Sequence, residues 1–109
     1  KLYRAMRSEV LMREGDLGES MYFIVSGQVE VKGRNGTFVL KAGDFFGEIA
    51  LIERCPRTAT VRAMTRCQLL ILDVHDFQRF VAGYPHLLED IRVTAEARMA
   101  SFGNSADAV

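Results

Sequence analysis

One stretch of this chain holds residue types that could grip an anion: Phe45-Phe46-Gly47-Glu48-Ile49-Ala50-Leu51-Ile52-Glu53-Arg54-Cys55-Pro56-Arg57-Thr58-Ala59-Thr60-Val61. Arg57 brings a planar guanidinium, whose forked donors match two oxygens of a phosphate. Gly47 permits a tight turn and a close backbone approach, and Glu48 to Ile52 is a run of good helix formers. A short helix starting there presents unpaired N–H groups and a positive dipole end. Glu53-Arg54-Cys55-Pro56 ends that helix, and Arg57 enters the next strand. Folded back on itself, the segment sets one guanidinium against the helix start, which makes a phosphate cradle. Arg54 is the one other basic residue between Gly47 and Ala59, and its place before Cys55-Pro56 marks it as a solvated charge.

The remaining chemistry-bearing residues are sparse. His75 and His86 stand apart, without carboxylate or thiol partners at ligand spacing, so no metal site is expected. Cys55 and Cys67 form no C-x-x-C pair and are too few for a disulfide scaffold; they read as reduced thiols of a cytoplasmic protein. Fourteen basic residues balance fourteen acidic ones, for a formal net charge of +0. A global attraction to nucleic acid or to an anionic membrane is therefore not expected, and an anion must be caught locally. No apolar run approaches the roughly 20 residues of a membrane helix, and no signal peptide is recognisable. The first residue is Lys1 rather than Met, which suggests a piece of something longer.

The elements that would position the cradle follow from residue patterning. Glu9 to Arg13, Met21 to Ser26, Gln28 to Lys32, Thr37 to Lys41, Thr58 to Ala63 and Cys67 to Asp73 are rich in β-branched and aromatic residues or alternate in polarity, which predicts strands. Glu14 to Gly18, Gly33-Arg34-Asn35-Gly36 and Ala42-Gly43-Asp44 punctuate them as turns, and Gly27 as a bulge or bend. Gly15, Gly18, Gly27, Gly36 and Gly43 are read as turn glycines without a direct functional role. From Val74 the period changes. Phe77, Phe80 and Val81 share one helical face, Gly83 closes that helix, and Pro85 opens another reaching about Phe102. Leu87, Leu88, Ile91, Ala95, Arg98 and Met99 stripe the second helix. The expected architecture is mainly β: an antiparallel jelly-roll-like β-barrel, or β-roll, followed by C-terminal helices. Residues 1–102 form one domain, and the loop-like composition of 103–109 predicts a disordered tail.

Phe-Gly-Glu-Ile-Ala-Leu, then five residues, then Arg-Thr-Ala-Thr-Val resembles the phosphate-binding cassette of cyclic-nucleotide-binding domains. Arg13-Glu14-Gly15-Asp16 and Met21-Tyr22-Phe23-Ile24-Val25-Ser26-Gly27 are similar to that family's early strands. The resemblance runs from about Glu9 to Phe102, and the compact hairpin at Gly33 to Gly36 is like that of bacterial channel sensors. It implies that Arg57 pairs with the cyclic phosphate of cAMP or cGMP and that Glu48 accepts a hydrogen bond from the ribose 2′-OH. It further implies backbone contacts near Phe46, Gly47, Ile49, Ala50 and Ala59, a hydroxyl contact from Thr58, and a C-terminal lid helix carrying Arg98 and Met99 over the base. Family members open on a helical segment, whereas here residues 1–8 run almost directly into Glu9 to Met12. The first strand and turn are therefore expected to be shortened.

The resemblance implies a regulatory sensor rather than an enzyme, with no cofactor besides its nucleotide ligand, transmitting binding to a fused effector such as a channel pore domain. A regulatory module of a kinase, a transcription factor or another soluble effector is the alternative. A cupin-like metal enzyme needs several histidines on adjacent strands, and this sequence does not supply them. A barrel that has lost its ligand and serves only for docking is disfavoured by the intact Glu48 and Arg57.

Overall fold

The computed structural model describes residues 1–34 and 36–100; the segment 103–109 and Phe102 lie outside the described residues. The described residues fold into eight strands and three helices in the order β1 (Leu2–Ala5), β2 (Val10–Met12), β3 (Ser20–Ser26), β4 (Gln28–Gly33), β5 (Gly36–Lys41), β6 (Phe45–Phe46), α1 (Glu48–Glu53), β7 (Ala59–Ala63), β8 (Cys67–Asp73), α2 (Val74–Gly83) and α3 (Pro85–Arg98). The strands make two four-stranded antiparallel sheets, ordered β1-β8-β3-β6 and β2-β7-β4-β5. The result is a β-roll of two open sheets rather than a closed barrel.

The period-2 alternation of β3 explains why two layers attach to one sheet. Tyr22 and Ile24 face the second sheet, whose Val29, Val31, Ala59, Val61 and Ala63 close a core with Leu69 of β8. Met21 and Phe23 point the opposite way, into a second cluster with Leu51, Phe77 and Ile91 from the three helices. The two residues of β6 divide likewise: Phe46 lies in the first core and Phe45 against the second. Phe46 stacks on Tyr22 with ring centres 4.7 Å apart, and Phe45 tilts against Phe23 at 5.7 Å. Five of the six expected strands recur with shifts of one or two residues, and Cys67 to Asp73 recurs as read.

Three expectations are corrected. Residues 1–8 do not merely lead into the first strand: Leu2–Ala5 is itself a strand, paired antiparallel with β8 in the register Leu2 to Leu70 and Ala5 to Cys67. The Met6–Glu9 turn follows it, with the Glu9 carboxylate accepting from the Met6 N–H at 3.0 Å and from the Tyr3 hydroxyl. Phe80 does not share the buried face of Phe77; it is exposed and packs edge-on against Tyr84. The α3 helix ends at Arg98, with Met99 and Ala100 in a wider π-type turn.

Local chemistry sets the helix boundaries. The Asp73 carboxylate accepts from the Asp76 N–H at 2.8 Å, which caps α2 and holds that carboxyl below its ordinary pKa. Pro85 occupies the first turn of α3, where its missing N–H costs nothing. Among the described residues no helix is long and apolar enough to cross a membrane.

Met21 is fully buried where β3 meets the helices. Met21→Ala should destabilise the domain by about 2–5 kcal/mol, the usual range for a large-to-small change in a core. Denaturant unfolding checks this; a loss below about 1 kcal/mol would mean that the helices pack too loosely to leave a cavity.

Candidate functional site

β6, α1 and the loop into β7 enclose one side of a cavity of about 460 Å³, and α3 closes the other. Phe46, Gly47, Glu48, Ile49, Ala50, Arg57, Thr58, Ala59 and Arg98 all line it, so the residues expected to share a site stand around one space. Met12, Val31, Phe38, Leu40, Val61 and Val93 add an apolar wall. Glu48, Arg57, Thr58, Thr94 and Arg98 set polar groups among this apolar lining, a mixture that suits a ligand with an anionic head and a flat apolar body.

Gly47 makes the corner between β6 and α1. Its φ of 87° lies in the left-handed region, and a methyl group there would come within 3.2 Å of the Ser20 carbonyl. Glu48 follows immediately as the first residue of α1, which directs its side chain into the protein, where it is 1% exposed. Oε1 of Glu48 accepts from Arg98 Nη1 at 2.9 Å. Oε2 is buried and has no partner among the described residues. Burial pushes the Glu48 carboxyl above its ordinary pKa, and the nearby Arg98 only partly offsets this.

Arg57 is the second buried charge. Its Nη1 donates to the Gly47 carbonyl at 3.0 Å, Nη2 makes a long contact of 3.5 Å with Ser20 Oγ, and its Cζ lies 5.9 Å from the centre of the Tyr22 ring. Among the described residues no carboxylate forms an ion pair with it. Burial, the loss of water around the charge, draws its pKa below the ordinary arginine value. A guanidinium nevertheless stays protonated. It is held at 6% exposure with its fork only partly used. Arg54 ends α1 in the left-handed region and is exposed, in keeping with a solvated charge.

Arg98 reaches the site from α3. It bridges to Glu48 and lies 4.9 Å over the Phe45 ring. Met99 is half-buried and does not line the cavity. Sequence reasoning missed Gly18, which was grouped with the turn glycines although it abuts the Arg57 guanidinium. It also missed Thr94 and Ala97, which line the cavity on the face of α3. The helical spacing of Thr94, Ala97 and Arg98 was the available signal. Among the described residues no group of three His, Cys, Asp or Glu could hold a metal ion.

Known proteins resemble this chain in sequence and fold. A cyclic nucleotide-gated potassium channel of Rhizobium etli is 46% identical over 89 residues, covering 82% of this chain and 25% of that protein. The human potassium/sodium hyperpolarization-activated cyclic nucleotide-gated channel 2 is 40% identical over 97 residues, covering 87% of this chain and 11% of that protein. The chain thus spans a quarter or less of these relatives' length. Among solved structures, PKAR CBD2 bound to Sp-2Cl-cAMPS superposes with a TM-score of 0.78 at 26% identity, over 92% of this chain and 69% of that one. The Thermus thermophilus catabolite activator protein shares the fold, with a TM-score of 0.82 at 24% identity over 92% and 50% of the two chains. Residues 4–84 match the profile of the family described as the cyclic nucleotide-binding domain, a span that holds both sheets but for the first two residues of β1, together with α1 and every cavity residue but those of α3. With its fold, its cassette and its relatives in agreement, this chain belongs to the cyclic nucleotide-binding domain family.

Proposed function

We propose that the domain binds a 3′,5′-cyclic nucleotide in this cavity, turns over no substrate, and acts as the cytoplasmic sensor of a fused channel. The observation that carries the reading is a pair of buried charges in one cavity that are incomplete among the described residues: Arg57 forms no ion pair, and Glu48 Oε2 has no hydrogen-bond partner. A cyclic nucleotide completes both. Its phosphate supplies the anion for Arg57, and its free 2′-hydroxyl supplies a donor for Glu48 Oε2. In this reading Phe46, Gly47, Ile49, Ala50 and Ala59 allow close approach, Thr58 offers a hydroxyl, and the apolar wall takes the base.

The relatives at 40% identity and above are channels, which favours a channel pore domain as the effector over a soluble one. Ligand would reach that effector through α3, since Arg98 joins α3 to a residue of the cassette. Such coupling requires different affinities for the two positions of the helix.

Calorimetry on the folded domain should show binding of both cAMP and cGMP without hydrolysis. Their affinities should lie within about 1–2 kcal/mol of each other, the scale of one neutral hydrogen bond. No heat with either nucleotide overturns the reading.

Arg57→Ala should weaken both nucleotides alike by roughly 30-fold to several-thousand-fold, since it leaves a desolvated phosphate without its cation. Arg57→Lys should recover little of this, because a point charge lacks the fork. Glu48→Ala should weaken binding less and leave 2′-deoxy analogues unaffected. An Arg57→Ala protein binding within about threefold of the parent contradicts the assignment.

The Glu48 carboxyl has a folded pKa above its unfolded one. Its protonated form is thus the one the fold prefers: that stability is present in full below the unfolded pKa and is lost as pH rises through the folded pKa. Without nucleotide, Glu48→Gln should flatten this dependence and be at least as stable as the parent at neutral pH. Thermal midpoints taken from mildly acidic to neutral pH test this; an unchanged slope shows that Glu48 is not its source.

A further inference from the structure

Arg57 is held from three sides by groups of the β3 and β6 ends: the Gly47 carbonyl, Ser20 Oγ and the Tyr22 ring. The fourth side is bounded by the backbone of Gly18, in the turn before β3. A methyl carbon built on Gly18 would lie 2.1 Å from Arg57 Nε, 2.2 Å from Cζ and 2.7 Å from Cδ. Such distances are far inside van der Waals contact, so the guanidinium fills the space that a side chain at 18 would need. Gly18 is not among the glycines with left-handed backbone. Its requirement is therefore for room, unlike that of Gly15 three residues earlier, which has a φ of +92° and open space around its missing side chain.

We infer that Gly18 is a positioning residue for anion capture: its missing side chain forms the bay that keeps the Arg57 guanidinium inside the cavity. This rests on the reading that Arg57 takes the phosphate. Any side chain at 18 displaces Nε and Cζ together, which moves the whole planar fork. A bidentate contact tolerates displacements of only about half an ångström before one of its two bonds is lost. The same substitution leaves α1, Glu48 and the apolar wall in place, because Gly18 is not among the residues lining the cavity.

The test is a double-mutant cycle on the whole domain, with cAMP titrated by calorimetry and thermal unfolding followed alongside. Gly18→Ala should weaken cAMP about tenfold or more, yet the Gly18→Ala, Arg57→Ala double variant should bind within about twofold of Arg57→Ala alone. Gly43→Ala is the comparison: its φ of +96° with open space around it makes the change one of strain alone, which should lower the thermal midpoint while affinity stays within about twofold of the parent. A Gly18→Ala protein that binds like the parent overturns the inference, and so does an equal loss in both Arg57 backgrounds. Should Gly18→Ala fail to fold, a folded double variant still assigns the clash to Arg57, whereas failure of both overturns it. If Arg57→Ala itself binds like the parent, the phosphate role of Arg57 falls, and the inference falls with it for a separately identifiable reason.

Discussion

A guanidinium kept out of water without an ion-pair partner among the described residues sets the terms for the rest of this molecule. Isolated charges are costly to bury, and the fold meets that cost at Arg57 with partial substitutes: one backbone carbonyl, one distant hydroxyl and the face of an aromatic ring. Each substitute has its own structural requirement. The carbonyl belongs to Gly47, which must take a left-handed φ to turn the chain from β6 into α1. The ring belongs to Tyr22, which must face the inter-sheet core and is steadied there by parallel stacking on Phe46. The incomplete solvation of one cation thus reaches back to the pleat of β3 and the pairing of β3 with β6.

That pairing also explains how a small domain supports both a rigid site and a set of helices. Alternate residues of β3 and β6 serve two different clusters, so the strand that steadies Arg57 through Tyr22 also anchors the helices through Met21 and Phe23. Phe45 carries the same division further: its ring packs against Phe23 and lies beneath the Arg98 guanidinium. Besides the apolar packing of Leu51 in the second cluster, the cassette and the last helix therefore meet through an ion pair and a ring face.

Much of this was legible in the chain, for reasons that can be named. The cassette is continuous, and Gly47, Glu48 and Arg57 lie close enough in sequence that turn and helix propensities alone bring them together. The strands carry period-2 patterns, and Pro85 marks the start of α3. What was hidden depends on partners far along the chain. Leu2–Ala5 buries only Ala5 and is a strand because β8 lies beside it. Gly18 looked like any other turn glycine, since its neighbour Arg57 enters only through the fold. Phe80 obeyed the helical period but fell beyond the edge of the packed face. Arg98 was placed over the site, while its carboxylate partner, fifty positions earlier, had no local signature.

The thin attachment of α3 has a consequence for how the domain breathes. Of its fourteen residues only Ile91 and Ala95 are buried, whereas the strands around Val29, Val61 and Leu69 are sealed on the inter-sheet side. Opening free energies in a native protein follow such differences, so the molecule divides into a high-stability sheet pair and a low-stability terminal helix that can detach as its own cooperative unit. Amide protons of α3 are then expected to exchange with solvent through a partial opening, ahead of those of β4, β7 and β8. The Arg98–Glu48 bridge ties that weaker unit to the cavity, so the free energy of fraying one helix becomes a quantity that occupancy of the cavity can draw upon.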